Sequence, residues 1–329
     1  MKKPFKTNCR KLLSAILLAG IVLTGCSQSA KIQEDETSLN PSNDSPDTSS
    51  DSQTTEYLKE ITYSNLLDSQ TQNEVKDALT AAGVTQKNAD FFLQSVRYYN
   101  DTIDGKGLVE KGFKTSDTLE PTYDVEMIQN KWDVKNPSFI GYNCRITAFG
   151  LLKDLISVQN TDLARTEELF MDEDALQNNP DHFFTKHEES AFKSLFSSIP
   201  TESTKDISVH LKQVENAWKK MGITFSNKSK ASLISVFFHS EITEDEVYLF
   251  IGHTGVLLPS QDGKLLFIEK VSFQEPYQVL KFDNRTQVND YLMHKYDTAW
   301  GQPTAKPFIL ENDSLIEGYR ANPDNRESN

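Results

Sequence analysis

The apolar pattern of the chain changes period near residue 230, and that change restricts the fold more than any other feature. Upstream, apolar side chains recur at three- and four-residue spacing between helix stops. Ser69 with Gln72 reads as a capping box ahead of Val75, Ala78 and Leu79, and Gly83 reads as the stop. A second helix is predicted over 85–100, with Phe91, Phe92, Val96 and Tyr99 as an ordinary core face. Others are predicted over 163–170, 188–196 and 207–221, bounded by Pro180, Pro200 and Gly222. Residues 101–135 read as loops with short strands. Downstream, residues 233–238, 247–251, 254–258, 265–270 and 279–282 are short runs rich in Val, Ile, Phe and Tyr, and Asp262-Gly263 between two of them predicts a hairpin. A helix over 286–296 and a Pro-flanked tail over 303–310 close the chain. Helices first and strands afterwards predict an α+β domain with an antiparallel sheet.

The N-terminus carries a different signal. Lys2, Lys3, Lys6, Arg10 and Lys11 precede an apolar stretch over 12–23 that is shorter than the roughly 20 residues a membrane span needs, which predicts a secretion signal. Its end, Leu23-Thr24-Gly25-Cys26, resembles a bacterial lipobox, which implies a signal peptide over 1–25 and lipidation of Cys26. Residues 26–55, rich in Ser, Asp, Thr and Asn, lack the apolar side chains that offset ordering entropy and read as a tether with ends on the order of 30 Å apart. The remaining 56–329 read as one domain. The expected location is the extracellular face of a Gram-positive-type cell membrane, held by the lipid on Cys26.

Subtracting the leader's five positive charges from the net −14 leaves the exported chain at −19. Such a field repels phosphate backbones, so a nucleic-acid partner is not expected. The acidic residues read as solvated surface. Without a His-x-x-x-His pair, paired cysteines, a calcium loop or a glycine-rich phosphate loop, neither a metal nor a cofactor is expected. Of the three cysteines, Cys9 leaves with the leader and Cys26 takes lipid, so Cys144 is the one thiol of the exported domain, without a disulfide partner in an oxidising setting.

Cys144 opens a run with Ile146, Phe149 and Leu152 at helical spacing, and a helix N-terminus favours thiolate over thiol. A buried structural cysteine is the alternative. A thiolate nucleophile needs a base and a group to orient it. His182, His187, His210 and His294 read as solvated imidazoles, and His239 ends an apolar strand. His253, between Gly252 and Gly255 in a run apolar on both faces, is the candidate base, with a satisfied core histidine as the alternative. Glu269, the carboxylate on the next run, is the candidate orienter. A strand-end carboxylate in water is its alternative reading, and Gln274, Asp262 and Glu275 stand in reserve.

Cysteine at a helix start, then helices, then a strand with His253-Thr254-Gly255-Val256-Leu257-Leu258 resembles the papain-like cysteine hydrolases, in particular NlpC-type cell-wall peptidases and transglutaminase-like proteins. NlpC-type enzymes carry Asp-Cys-Ser and His-Val-Gly where this chain has Asn143-Cys144-Arg145 and His253-Thr254-Gly255. Residues 57–329 are also similar to a family of Gram-positive lipoproteins described as a domain of unknown function (DUF4300-like), which implies no demonstrated activity. The papain-like resemblance implies a Cys144, His253 and Glu269 site acting on an amide, with a cell-wall peptide or a protein as substrate. The other reading is a surface lipoprotein that binds a peptide, a protein partner or a wall component without turnover.

Overall fold

The two apolar periods become eight α-helices and an antiparallel sheet in the computed structural model, which describes residues 56–299 and 304–325. The predicted signal peptide, the lipidation site Cys26 and the tether lie outside the described residues. Along the chain run β1 (Ile61–Ser64), α1 (Ser69–Ala81), α2 (Gln86–Thr102), β2 (Lys114–Ser116), α3 (Val125–Lys135), α4 (Cys144–Leu152), β3 (Ile156–Ser157) and a 3-10 turn (Glu167–Leu169). There follow α5 (Phe170–Asn178), α6 (Lys186–Leu195), β4 (Ile199–Pro200), α7 (Ile207–Met221), β5 (Thr224–Phe225), β6 (Ser232–Thr243) and β7 (Glu246–Pro259). Last come β8 (Leu265–Lys270), β9 (Tyr277–Phe282), α8 (Arg285–Tyr296), β10 (Phe308–Glu311) and β11 (Ser314–Leu315). Among the described residues no helix is long and apolar enough to cross a membrane.

The main sheet is ordered β11-β10-β6-β7-β8-β9-β1-β2, with β4 added against β7. Strand alternation sends every second side chain to the opposite face, so the sheet has two cores. Leu233, Val256, Leu258, Leu266, Ile268 and Val279 pack with residues of α1 to α7, such as Val75, Phe149, Phe192 and Trp218. Ile234, Val236, Leu257, Phe267 and Leu280 pack on the other side with Val288, Tyr291 and Leu292 of α8.

Several local expectations need correction. Asp68, not Ser69, caps α1: its carboxylate accepts from the amide of Thr71 at 2.9 Å and from the Thr71 hydroxyl at 2.7 Å. The segment over 163–170 forms turns and the 3-10 turn, and the helix begins at Phe170, where buried Asp172, Ala175 and Leu176 take up helical spacing. Residues 101–135 contain β2 and a whole helix, α3, capped by Asp124. The runs over 247–251 and 254–258 are one strand, β7, which passes through a register shift at Gly252: His253 pairs with Val236 and Ile251 with Phe237, and a Cβ on the unpaired glycine would sit 2.5 Å from the Phe238 ring. His210 is fully buried rather than solvated, with Nδ1 at 2.7 Å from the Thr201 hydroxyl and Nε2 at 2.9 Å from the Thr204 carbonyl.

Candidate active site

Cys144 is the first residue of α4, and the segment before it is pinned at several points. Gly141 takes φ +95°, and a Cβ there would lie 3.2 Å from the Trp132 ring, whose Nε1 donates to the Phe139 carbonyl at 2.7 Å. Asn143 caps the helix, with Oδ1 accepting from the Ile146 amide at 2.9 Å. Its Nδ2 donates to Asp172 Oδ1 at 2.7 Å. Arg145 reaches the same carboxylate with Nε at 3.0 Å and Nη2 at 2.6 Å, a two-pronged charge-assisted contact. Both neighbours of the thiol are therefore tied to Asp172, whose side chain is fully buried. Asp172 carries no signal of its own in the sequence, because it lies in Met171-Asp172-Glu173-Asp174, an acidic run with the composition of solvated surface.

His253 and Glu269 come from the sheet. Pairing of β7 with β8 ends at Val256 opposite Ile268, while β4 meets β7 only at Tyr248 and Leu249. Between them, among the described residues, one edge of β7 over 250–255 has no strand beside it. The start of α4 docks there, Arg145 Nη1 donating to the Ile251 carbonyl at 3.0 Å. In step with Leu257 and Phe267, His253 and Glu269 face α8. His253 Nε2 and Glu269 Oε2 are 2.5 Å apart. The other oxygen of Glu269 accepts from the Tyr291 hydroxyl at 2.6 Å and from Gln278 Nε2 at 2.6 Å. Gln278 Oε1 in turn accepts from the Tyr123 hydroxyl at 3.0 Å. With Nε2 given to Glu269, Nδ1 is the ring nitrogen left for Cys144, whose negative charge acts on the imidazole.

The three groups shift one another. Burial pushes the Cys144 thiol up, but His253 beside it, aided by Arg145, pulls it below its ordinary value. Burial pulls His253 down, but Cys144 and Glu269 raise it to about 9. Burial pushes Glu269 up, and His253 brings it to about 2. The arrangement favours a row of thiolate, imidazolium and carboxylate. The amides of Cys144 and Arg145 are the first two of α4, and no partner takes them among the described residues, so they can hold an oxyanion. Cys144 is 6% exposed and His253 and Glu269 1% each, so the row is closed to solvent.

The reserves lie apart from this row. Asp262 sits in the exposed β7–β8 turn and pairs with Lys281 at 3.0 Å, while the loop carrying Gln274 and Glu275 gives backbone carbonyls to the Tyr99 hydroxyl and Lys270 Nζ. His182 and His187 are exposed and His294 is half-buried. His239 is buried, its Nδ1 accepting from the Ala305 amide at 3.0 Å. Among the described residues no group of three His, Cys, Asp or Glu is placed to hold a metal ion.

A protein-family model described as a domain of unknown function (DUF4300) matches residues 62–316, a span that contains every residue of this site. No curated protein and no solved structure matches the chain.

Proposed function

The chain belongs to the DUF4300 family, a domain of unknown function, and from its own residues we propose that it is a papain-like thiol hydrolase or acyltransferase acting on an amide bond. Cys144 is the nucleophile, His253 the base and later the acid, and Glu269 the group that orients His253. The observation that carries this reading is the placement of His253 between a thiol at a helix start and a buried carboxylate. The thiolate attacks the amide carbon and the charge moves to the carbonyl oxygen, which the Cys144 and Arg145 amides receive. As the C–N bond breaks, the imidazolium proton goes to the leaving amine and an acyl-thioester remains. Water, or an acceptor amine, gives a proton to His253 as it attacks that thioester, and the C–S bond breaks to release the acyl product and restore the thiolate beside the imidazolium. A cell-wall peptide or a protein is the substrate class that fits an enzyme held outside the membrane through lipid on Cys26.

The test is the rate of iodoacetamide alkylation of Cys144 against pH. Reaction near pH 6 is expected, where an ordinary thiol of pKa about 8.5 is almost wholly protonated. His253→Ala is expected to slow it strongly and Glu269→Gln less. A thiol that titrates near its ordinary value in all three proteins, or reacts only on unfolding, would refute the proposal. The 6% exposure of Cys144 favours a second reading, a binding module in which the row is structural, and that outcome would support it.

A further inference from the structure

The face of the His253 ring has a partner that the chemistry above does not use. Tyr296, the last residue of α8, lies over the imidazole with ring centroids 5.1 Å apart and planes 30° from parallel. Its own ring is braced edge-on by Phe238 at 5.7 Å and 86°. Phe238 can take that place because Gly252, the residue before His253, has no Cβ to meet it at 2.5 Å. The run Gly252, Phe238, Tyr296, His253 is thus a closed chain of contacts that begins and ends on β7. The same helix supplies Tyr291, whose hydroxyl holds Glu269.

We infer that Tyr296 is a positioning residue for the reaction proposed above: its ring face holds the imidazole in line with Glu269 and stabilises the imidazolium cation. An aromatic face within about 6 Å of a cation attracts it, and the attraction is stronger where water is excluded. His253 is 1% exposed, so the attraction acts at nearly full strength. Other charged groups also bear on this centre. Cys144 and Glu269 flank the imidazole itself, Arg145 and Asp172 act on the thiol from α4 and α5, and Lys270 of β8 is coupled to it. Lys295 lies 5.7 Å from the Tyr296 ring and acts on Glu269. The test must therefore vary the ring's electrons and leave these charges in place.

The measurement is the titration of the His253 imidazole by NMR in the full chain, its signal assigned by loss in His253→Ala. A midpoint of about 9 is expected in the parent protein. Tyr296→Phe keeps the ring and is expected to leave the midpoint nearly unchanged. Pentafluorophenylalanine at position 296 keeps the shape but reverses the charge of the ring face, and Tyr296→Leu removes the ring. Each is expected to lower the midpoint by roughly one unit, a tenfold loss of proton affinity. Equal midpoints for phenylalanine and its pentafluoro analogue would overturn the role of Tyr296, whatever Tyr296→Leu does to packing. A parent midpoint near the ordinary 6.5 would instead refute the ion-pair reading of Cys144 and His253.

Discussion

At the scale of single residues, the charge states of Cys144 and His253 set a pH window. The reacting form needs thiolate and imidazolium together. Activity should rise as pH passes the lowered Cys144 value and fall as pH passes the raised His253 value of about 9. A bell-shaped kcat/KM profile with its acid limb below the ordinary thiol range is the expected result, and a single rise near 8.5 would contradict it. Asp172 belongs to this scale as well. Replacing it with Asn leaves Arg145, 15% exposed in its side chain, without its counter-charge. Losing one partner of a buried pair costs about 3–5 kcal/mol, so urea unfolding of Asp172→Asn should show a loss of that order. A loss below about 1 kcal/mol would mean that water already screens the pair.

At the scale of elements, what could be read from the sequence was set by local physics. The helix over Ile207–Met221 was legible to the residue because its apolar stripe ends at Gly222, which takes φ +62°. The start of α4 at Cys144 was equally legible, and so was the β7–β8 hairpin, where Gly263 takes φ +82°. The helix Val125–Lys135 was not, since only Ile128 and Trp132 of its side chains are buried and its stripe is short. The place of β1 between β9 and β2 depends on pairing with β2 more than 50 residues away and with β9 more than 200 residues away along the chain, which periodicity does not encode. Cys144, His253 and Glu269 could be named from the sequence as separate candidates. Asp172, Gln278, Tyr291 and Tyr296 could not, because each serves the site through a neighbour and resembles ordinary surface or core. Gly255 tests the β7–β8 contact directly. A Cβ there would sit 2.5 Å from the Phe267 ring and 2.7 Å from the Ile268 carbonyl, so Gly255→Ala should destabilise by about 1–3 kcal/mol. The control is Gly263→Ala, where nothing lies within 4 Å and only the positive φ resists, at about 1–2 kcal/mol. Both are read from thermal unfolding, and a fall in Cys144 alkylation rate is expected for Gly255→Ala alone.

At the scale of the whole molecule, the proposed anchor predicts that Cys26→Ala changes both the membrane association of the protein and the processing of its precursor, as read by fractionation and immunoblotting. Unchanged fractionation would remove the lipoprotein proposal and leave the chemistry of Cys144 untouched. The first described residues also matter at this scale. Tyr57 donates its hydroxyl to the Asp290 carbonyl at 3.0 Å, and the Leu58 amide donates to the Asp290 carboxylate at 3.1 Å. Asp290 is fully buried and is gripped by Arg320 Nε at 2.7 Å. The next residue on α8 is Tyr291, which holds Glu269. A pull arriving along the chain from the N-terminal side therefore loads Asp290 early, one residue away from the support of the orienting carboxylate. Under the anchor proposed above, tension from the membrane would enter the domain beside the support of its orienting carboxylate.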